Sequence, residues 1–410
     1  MAELARDELG AWLWLAQAPG IGDVSARRLL AAFGLPQAVL AQSAAALSQV
    51  ISPAQAAALR TPPPGWDALL EATWAWLHAD GPPRCVITLG DADYPSALLE
   101  LPDPPLMLYA LGHARFINNR APGQSQSAQG TSDLIANKPT IDPQHCLAMV
   151  GSRNPTPQGS DHARQFARAL ARSGVTVVSG LALGIDGAAH TGALEGAAPG
   201  TAATVAVVGT GLDRVYPKAH RALAHQIAQN GLLLSEYPLG TPPLMPNFPK
   251  RNRLIAALSR GTLVVEAALK SGSLITARLA AEQGKEVLAI PGSIHAAQSR
   301  GCHALIKQGA KLVESAQDIL DELPGLLDPP STPKTEAACA YSESATGQND
   351  AQNQVLQAMG FDPVGLDALQ ARCALDAAEL LAQLMSLELD GWVARLPGGL
   401  YQRQKAASPG

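Results

Sequence analysis

A chain of 410 residues, 47% hydrophobic and only 16% charged, can bury a sizeable core and is expected to divide into two or three domains. No run approaches the roughly 18 uninterrupted apolar residues of a membrane helix, and Glu3, Asp7 and Glu8 stand where a secretory leader would carry cations. The net charge of −5 leaves nucleic-acid binding to a local basic patch, and five scattered cysteines without a C-x-x-C pair argue against zinc or disulfides and for a reducing, cytoplasmic setting.

Residues 1–80 read as a helical domain rich in Ala, Leu and Trp. Within it Ala18-Pro19-Gly20-Ile21-Gly22, followed by Ser25 to Leu30 and Phe33-Gly34, has the form of a helix-hairpin-helix. There a glycine hairpin would let backbone N–H groups approach phosphates; a plain helical packing module with a tight turn is an equal alternative. From Arg84 the pattern changes to alternating strand and helix, with Val86 to Leu89 and Leu106 to Ala110 as strands. Residues 113–144, polar and aperiodic, read as a mobile insertion without assigned function.

The stretch Leu147 to His190 reads as one βαβ unit: a buried strand, a glycine turn, an amphipathic helix, a second strand and a second glycine turn. Gly151-Ser152-Arg153 at the end of the first strand suits a phosphate, held by backbone N–H groups, the following helix start and the Arg153 fork. It lacks the G-x-G-x-x-G fingerprint, so no nicotinamide or flavin is implied. Further strands are expected at Thr204 to Val208, Leu232 to Ser235, Leu263 to Val265, Val287 to Ile290 and Lys311 to Val313, with helices between them. The fold class is therefore α/β, a Rossmann-like doubly wound, mostly parallel sheet over residues 84–322. The glycine turns at Gly151, Gly180 to Gly184, Gly209 to Gly211 and Gly292 each follow a strand, so they share the carboxyl edge where such sheets bind ligands. Ser271-Gly272-Ser273 before a helix adds a candidate anion nest.

A basic element lies between these turns. No acidic residue occurs from Tyr237 to Val265, while Lys250, Arg251, Arg253 and Arg260 cluster there, preceded by Phe248. Phe248 could stack on a base and the cations could meet phosphates. A solvated helix start is the plain alternative; several phosphate-type turns on the same edge favour binding.

Taken together, Val150 to Arg153, Ser179 to Ala182 with Gly184-Ile185-Asp186 and Ala189-His190, Gly209 to Asp213 with Tyr216-Pro217, Ser235-Glu236-Tyr237, Phe248 with Arg251 to Ile255, Glu266-Ala267 with Ser271 to Ala277, and Ile290-Pro291-Gly292 closely resemble the DNA-processing protein A family (DprA, also called Smf). The blocks span roughly residues 150–310 in family order and are specific as a set. The resemblance implies a bacterial cytoplasmic protein without catalytic activity or cofactor. Such a protein binds single-stranded DNA taken up in natural transformation, shields it, loads the RecA recombinase and acts as a homodimer. Residue by residue, Gly151, Ser152 and Arg153 would form the main phosphate pocket, with Lys218 and the segment Phe248, Lys250, Arg251, Asn252, Arg253 on its basic side; Gly180, Gly272 and Ser273 complete the expected set. Asp186, His190 and Glu266 could be acid–base groups, but caps or partners for loop N–H groups are the expected roles. The rival is a nucleotide-processing phosphoribohydrolase, echoed by Gly261-Thr262 with Glu266; Leu258-Ser259-Arg260 stands in place of that family's Pro-Gly-Gly and disfavours it.

Residues 323–350, rich in Pro, Ser, Thr and Glu, read as a flexible linker. Helices near 353–359, 365–371 and 376–389 and a glycine-turn hairpin at Trp392 to Tyr401 make residues 351–405 a winged helix. Leu380, Leu381, Leu384 and Met385 are expected in its core. Its third helix carries Asp376, Glu379 and Glu388 with no Lys or Arg, so it is expected not to read DNA but to serve as a protein-interaction or regulatory module.

Overall fold

A computed structural model of the chain describes residues 4–113, 115–116, 140–327, 350–373 and 375–404. The centre of the expected insertion and most of the expected linker lie outside these residues. Six helices come first: α1 (Arg6–Gln17), α2 (Asp23–Phe33), α3 (Pro36–Leu40), α4 (Ala44–Leu47), α5 (Pro53–Ala58) and α6 (Trp66–Leu77). Ala18 to Gly22 joins α1 to α2 as the short hairpin that the glycines suggest. Leu9, Trp12 and Leu13 of α1, Leu29 of α2 and Leu47 of α4 do not close a core alone; they merge with Val86, Tyr109, Ala206 and Leu233 of the sheet. The helical module is thus one wall of the α/β body.

That body opens with β1 (Arg84–Thr88), α7 (Ser96–Leu99), β2 (Met107–Gly112) and a small parallel pair, β3 (Arg115–Phe116) with β4 (Thr140–Ile141). It continues through β5 (Cys146–Val150), α8 (Pro157–Arg172), β6 (Thr176–Ser179), α9 (Ile185–Gly196), β7 (Thr204–Val207), α10 (Arg221–Asn230) and β8 (Leu232–Ser235). After these come α11 (Asn247–Ala257), β9 (Gly261–Val264), α12 (Ser273–Glu282), β10 (Glu286–Ala289), α13 (Arg300–Lys307), β11 (Lys311–Leu312) and α14 (Ala316–Glu322). Every residue of β5 to β9 is buried. Their near-continuous apolar runs are what a strand covered on both faces requires. One face packs on α8 and α9 through Phe166, Leu170, Ile185 and Ala189. The other packs on α11 and α12 through Leu254, Ile255, Ala277 and Ala280.

The sheet order is β1-β2-β8-β7-β6-β5-β9-β10-β11. β5 to β11 run parallel, and β2 pairs antiparallel with both β1 and β8. From β5 the chain winds outward to β8, then returns to the other side of β5 and winds outward through β9, β10 and β11. The winding therefore reverses between β5 and β9. There the loops after the two strands diverge to opposite faces and leave the crevice in which such sheets bind ligands.

Two bonds from one side chain join neighbouring strand ends at the carboxyl edge, and a third goes to its neighbour on the same helix. Arg251 of α11 is 4% exposed, and its Nη1 donates to Gly180 O beyond β6 and to Val207 O of β7, while its Nε donates to Asn252 Oδ1. Asp186, in the first turn of α9, supplies the countercharge. Gly180 has to lack a side chain, because a Cβ there would lie 2.5 Å from Arg251 Nη1.

The tail comprises α15 (Asp350–Met359), β12 (Val364–Gly365), α16 (Leu366–Cys373), α17 (Ala377–Leu389), β13 (Val393–Leu396) and β14 (Leu400–Arg403). The strands form a sheet in the order β12-β14-β13, giving a winged helix with its own core of Val355, Leu356, Leu369, Leu380, Leu384, Leu387 and Tyr401. Leu381 and Met385 are not part of that core, contrary to the sequence reading: they are 43% and 66% exposed. At 3.6 residues per turn Leu380, Leu384 and Leu387 share one face, and the neighbouring leucine and methionine are carried round to the other side. The hairpin meets the α/β body where Gln402 Nε2 donates to Gln158 Oε1 at 2.7 Å, in the first turn of α8.

Gly180→Ala should displace the Arg251 guanidinium from two carbonyls inside a dry edge. The expected loss is roughly 2–3 kcal/mol, or about 4–10 °C in thermal midpoint by circular dichroism; an unchanged midpoint would show the guanidinium is not confined there.

His190 offers a second test. It is fully buried, its Nδ1 lies 2.7 Å from Thr204 Oγ1, and the Thr204 hydroxyl donates to Val177 O, so the ring donates through Nδ1. Burial pushes its pKa down to about 3, against about 6.5 in the unfolded chain. Below pH 6.5 the unfolded state takes up a proton that the folded state refuses, so this contribution is complete above pH 6.5 and is lost as pH falls toward 3, by about 1.4 kcal/mol per unit. Burial moves Asp186 and Glu266 upward, which has the opposite sign. Melts of wild type and His190→Asn, which keeps a donor but cannot titrate, isolate the effect. The wild type should lose more stability between pH 7 and pH 5, and parallel losses would refute the assignment.

Candidate nucleic-acid interface

Gly151, Ser152 and Arg153 leave β5 at the winding reversal. Ser152 N–H donates to Glu266 O beyond β9 at 2.7 Å, and Ile185 N–H donates to Ser152 O at 3.1 Å, so this loop is tied to both neighbouring strand ends. Gly151 has to be small because a Cβ would meet Ile185 and Glu266 O at 2.6 and 2.9 Å.

Two nests that composition suggests for an external anion hold carboxylates of the chain itself. At the start of α8 Glu266 accepts from Thr156 N–H at 2.9 Å and from the Thr156 hydroxyl at 2.5 Å, while Thr156 Oγ1 accepts from Gly159 N–H. Gly159 admits that carboxylate, since a Cβ would lie 2.3 Å from its carbon. After β6, Asp186 accepts from Ala182 N–H at 3.2 Å and lies against the Gly180 N–H. Burial raises the pKa of both acids, opposed by these hydrogen bonds and, at Asp186, by Arg251. Asp186 and Glu266 thus accept from loop N–H groups, whereas His190 is neither a cap nor a partner of a loop N–H and bonds the Thr204 hydroxyl inside the core. Among the described residues no group of three or more His, Cys, Asp or Glu could hold a metal ion.

The expected cations separate into two groups. Arg251 and Arg253 are buried: Arg253 pairs with Glu236 and reaches Asp103 at 3.2 Å. Asn252 is also buried, with Nδ2 3.4 Å from Gly272 O. Lys250 is half-exposed and loosely held between Asp23 of α2 at 3.6 Å and Glu236 at 3.5 Å. Arg153 and Lys218 are exposed. At the last candidate nest Ser271 and Ser273 hydroxyls pair at 2.7 Å, Gly272 is exposed and Ser273 is buried.

Arg153 is placed by an aromatic neighbour. Its guanidinium lies 5.6 Å from the Phe248 ring centroid, within cation–π range, and the Tyr216 ring centroid lies 5.6 Å from that of Phe248. Phe248 rests on Gly209, where a Cβ would approach its ring to 3.2 Å, and Asn247 Nδ2 donates to Gly209 O at 3.1 Å. The loops after β5 and β7 and the start of α11 therefore build one surface of a guanidinium and two rings. Tyr216, 46% exposed, is the more open ring. It is absent from the expected set, although its place beside Lys218 after a glycine turn was the available signal.

The chain is similar to known proteins. The chain matches the family described as DNA recombination-mediator protein A over residues 135–324, and the DprA winged helix domain over residues 336–399. Protein Smf of Escherichia coli (strain K12) is 44% identical over 262 residues, 63% of this chain and 68% of that protein. Protein Smf of Synechocystis sp. is 36% identical over 342 residues, 78% of this chain and 80% of that protein. The X-ray structure of DNA processing protein A (DprA) from Streptococcus pneumoniae aligns with a TM-score of 0.58 at 33% identity, covering 78% of this chain and 98% of that one. With the reversal-point loop, the parallel sheet and the winged helix all in place, the chain belongs to the DNA recombination-mediator protein A family.

Proposed function

We propose that the chain binds single-stranded DNA through its phosphates at the reversal point of the sheet, and that it acts as a recombination mediator. The observation that carries this reading is the exposed Arg153 guanidinium held beside Phe248 and Tyr216 at the crevice. A guanidinium fork suits phosphate, and neighbouring rings suit unpaired bases, whose faces a duplex keeps stacked. Ser152, Arg153, Lys218 and Phe248 make the direct contacts with Tyr216, and Lys250 joins when a phosphate displaces its carboxylate partners. Gly151, Gly180, Arg251, Asn252 and Arg253 shape the edge from within, and Gly272 and Ser273 lie at its far side.

The family's description as a recombination mediator supports the wider role: shielding an incoming strand and loading RecA onto it in natural transformation, as a cytoplasmic homodimer. A nucleotide-hydrolysing activity is disfavoured, because Asp186 and Glu266 are turned to backbone donors and His190 is buried and neutral. Neither a cofactor nor a metal is required for binding of this kind.

Arg153→Ala should weaken single-strand binding strongly and flatten the log–log salt dependence by about 0.7 for each phosphate that is no longer neutralised. Arg153→Lys should restore only part of the affinity, for want of the fork. Filter-binding titrations from low to high salt decide it, and wild-type affinity in Arg153→Ala would reject the site.

Removal of residues 350–410 should leave single-strand affinity within a few-fold of the full chain, because the acidic third helix of the tail repels phosphates. A large loss would make the tail part of the DNA site.

A further inference from the structure

Helix α17 has two apolar faces, and among the described residues only one is covered. Leu380, Leu384 and Leu387 are buried in the core of the tail, whereas Leu381, Met385 and Leu389 are 43%, 66% and 82% exposed. The exposed three recur at i, i+4 and i+8, so they form one stripe about 12 Å long. Exposed Ala378 and Ala382 continue it without bulk. A surface helix ordinarily carries polar side chains on its outer face, and a contiguous apolar stripe rimmed by charge marks an interaction site.

The rim decides which partner fits. Glu388 borders the stripe on one side and Glu379 and Asp390 on the other, Asp376 caps the helix, and α17 contains no Lys or Arg. The carboxyl end of the helix adds its own partial negative charge near Glu388. Nucleic-acid phosphates and anionic lipid headgroups are repelled by such a surface. A second copy of α17 laid antiparallel would set Glu379 against Glu388, again like against like. The two hairpin cations are engaged within the tail: Arg403 lies 5.0 Å from the Phe361 ring centroid and Arg395 lies 6.0 Å from that of Tyr401.

We infer that the outer face of α17 is a docking site for a basic amphipathic helix of a protein partner, in which an apolar stripe meets Leu381, Met385 and Leu389 and flanking Lys or Arg side chains meet Glu379, Glu388 and Asp390. This rests on reading the tail as a protein-interaction module. Met385, unbranched and polarizable, adapts to the partner's side chains. The carboxylates set the charge and orientation of the guest and speed encounter.

The full-length chain is titrated against two fluorescent 18-residue peptides of equal amphipathicity, one of Leu and Lys and one of Leu and Glu, by anisotropy near physiological salt. The Leu/Lys peptide should bind, the Leu/Glu peptide should not, and Met385→Glu or Leu381→Glu should weaken binding at least tenfold while the melting temperature stays unchanged. Failure of the Leu/Lys peptide to bind, equal binding of both peptides, or wild-type binding by both variants overturns the proposal. Self-association of the wild type that is lost in Met385→Glu would replace it with a second copy. Single-strand and duplex DNA titrations of the same proteins separate the two readings: loss of DNA binding in Met385→Glu would refute the protein-interaction reading of the tail, whereas intact DNA binding without peptide binding refutes the docking site alone.

Discussion

A buried guanidinium organises the carboxyl edge of the sheet in this protein. Arg251 reaches from α11 across the ends of β6 and β7 and donates to Gly180 O and Val207 O, with Asp186 as countercharge. An uncompensated charge at this depth would cost several kcal/mol, so the carbonyls, the carboxylate and the glycine that makes room for them are mutually required. The site depends on this bond set indirectly. Phe248 lies three residues before Arg251 on the same helix, and where α11 is held determines where the ring meets Arg153 and Tyr216.

The edge also shows how one chain keeps buried, paired charge apart from exposed charge. Glycine turns and helix starts attract anions in general, and here the chain fills two of them with Asp186 and Glu266. Arg253 is likewise used internally, by Glu236 and Asp103. Facing solvent are Arg153 with its aromatic neighbours, Lys218, and Lys250 in a loose pairing with Asp23 and Glu236. A chain with a net charge of −5 can therefore still present a basic surface, because its cations are placed locally and several of its carboxylates are turned inward.

The tail follows the opposite logic. Its fold is that of a DNA-reading module, but its third helix presents leucine, methionine and glutamate where a reader needs cations. Shared architecture does not by itself carry shared function, and it is this surface chemistry that the proposed protein-interaction role rests on.

Periodicity and glycine placement determined the parallel sheet, the turns along one edge, the helical start and the winged helix, because each is a local consequence of side-chain spacing and backbone sterics. The motif blocks identified the family for the same reason: they lie in order along the chain. The sequence could not rank the four cations Lys250, Arg251, Arg253 and Arg260, since burial depends on Glu236, Asp103, Gly180 and Val207, which are distant in the chain and adjacent only once the sheet is wound. Nor could it tell that Leu381 and Met385 face solvent while Leu380 and Leu384 face the core, as adjacent apolar pairs fit either phase of a helix. The strand order that sets Gly151 to Arg153 beside Glu266 at the point of reversed winding was likewise decided by tertiary structure, because parallel pairing joins segments far apart in sequence and leaves little mark on the residues between them.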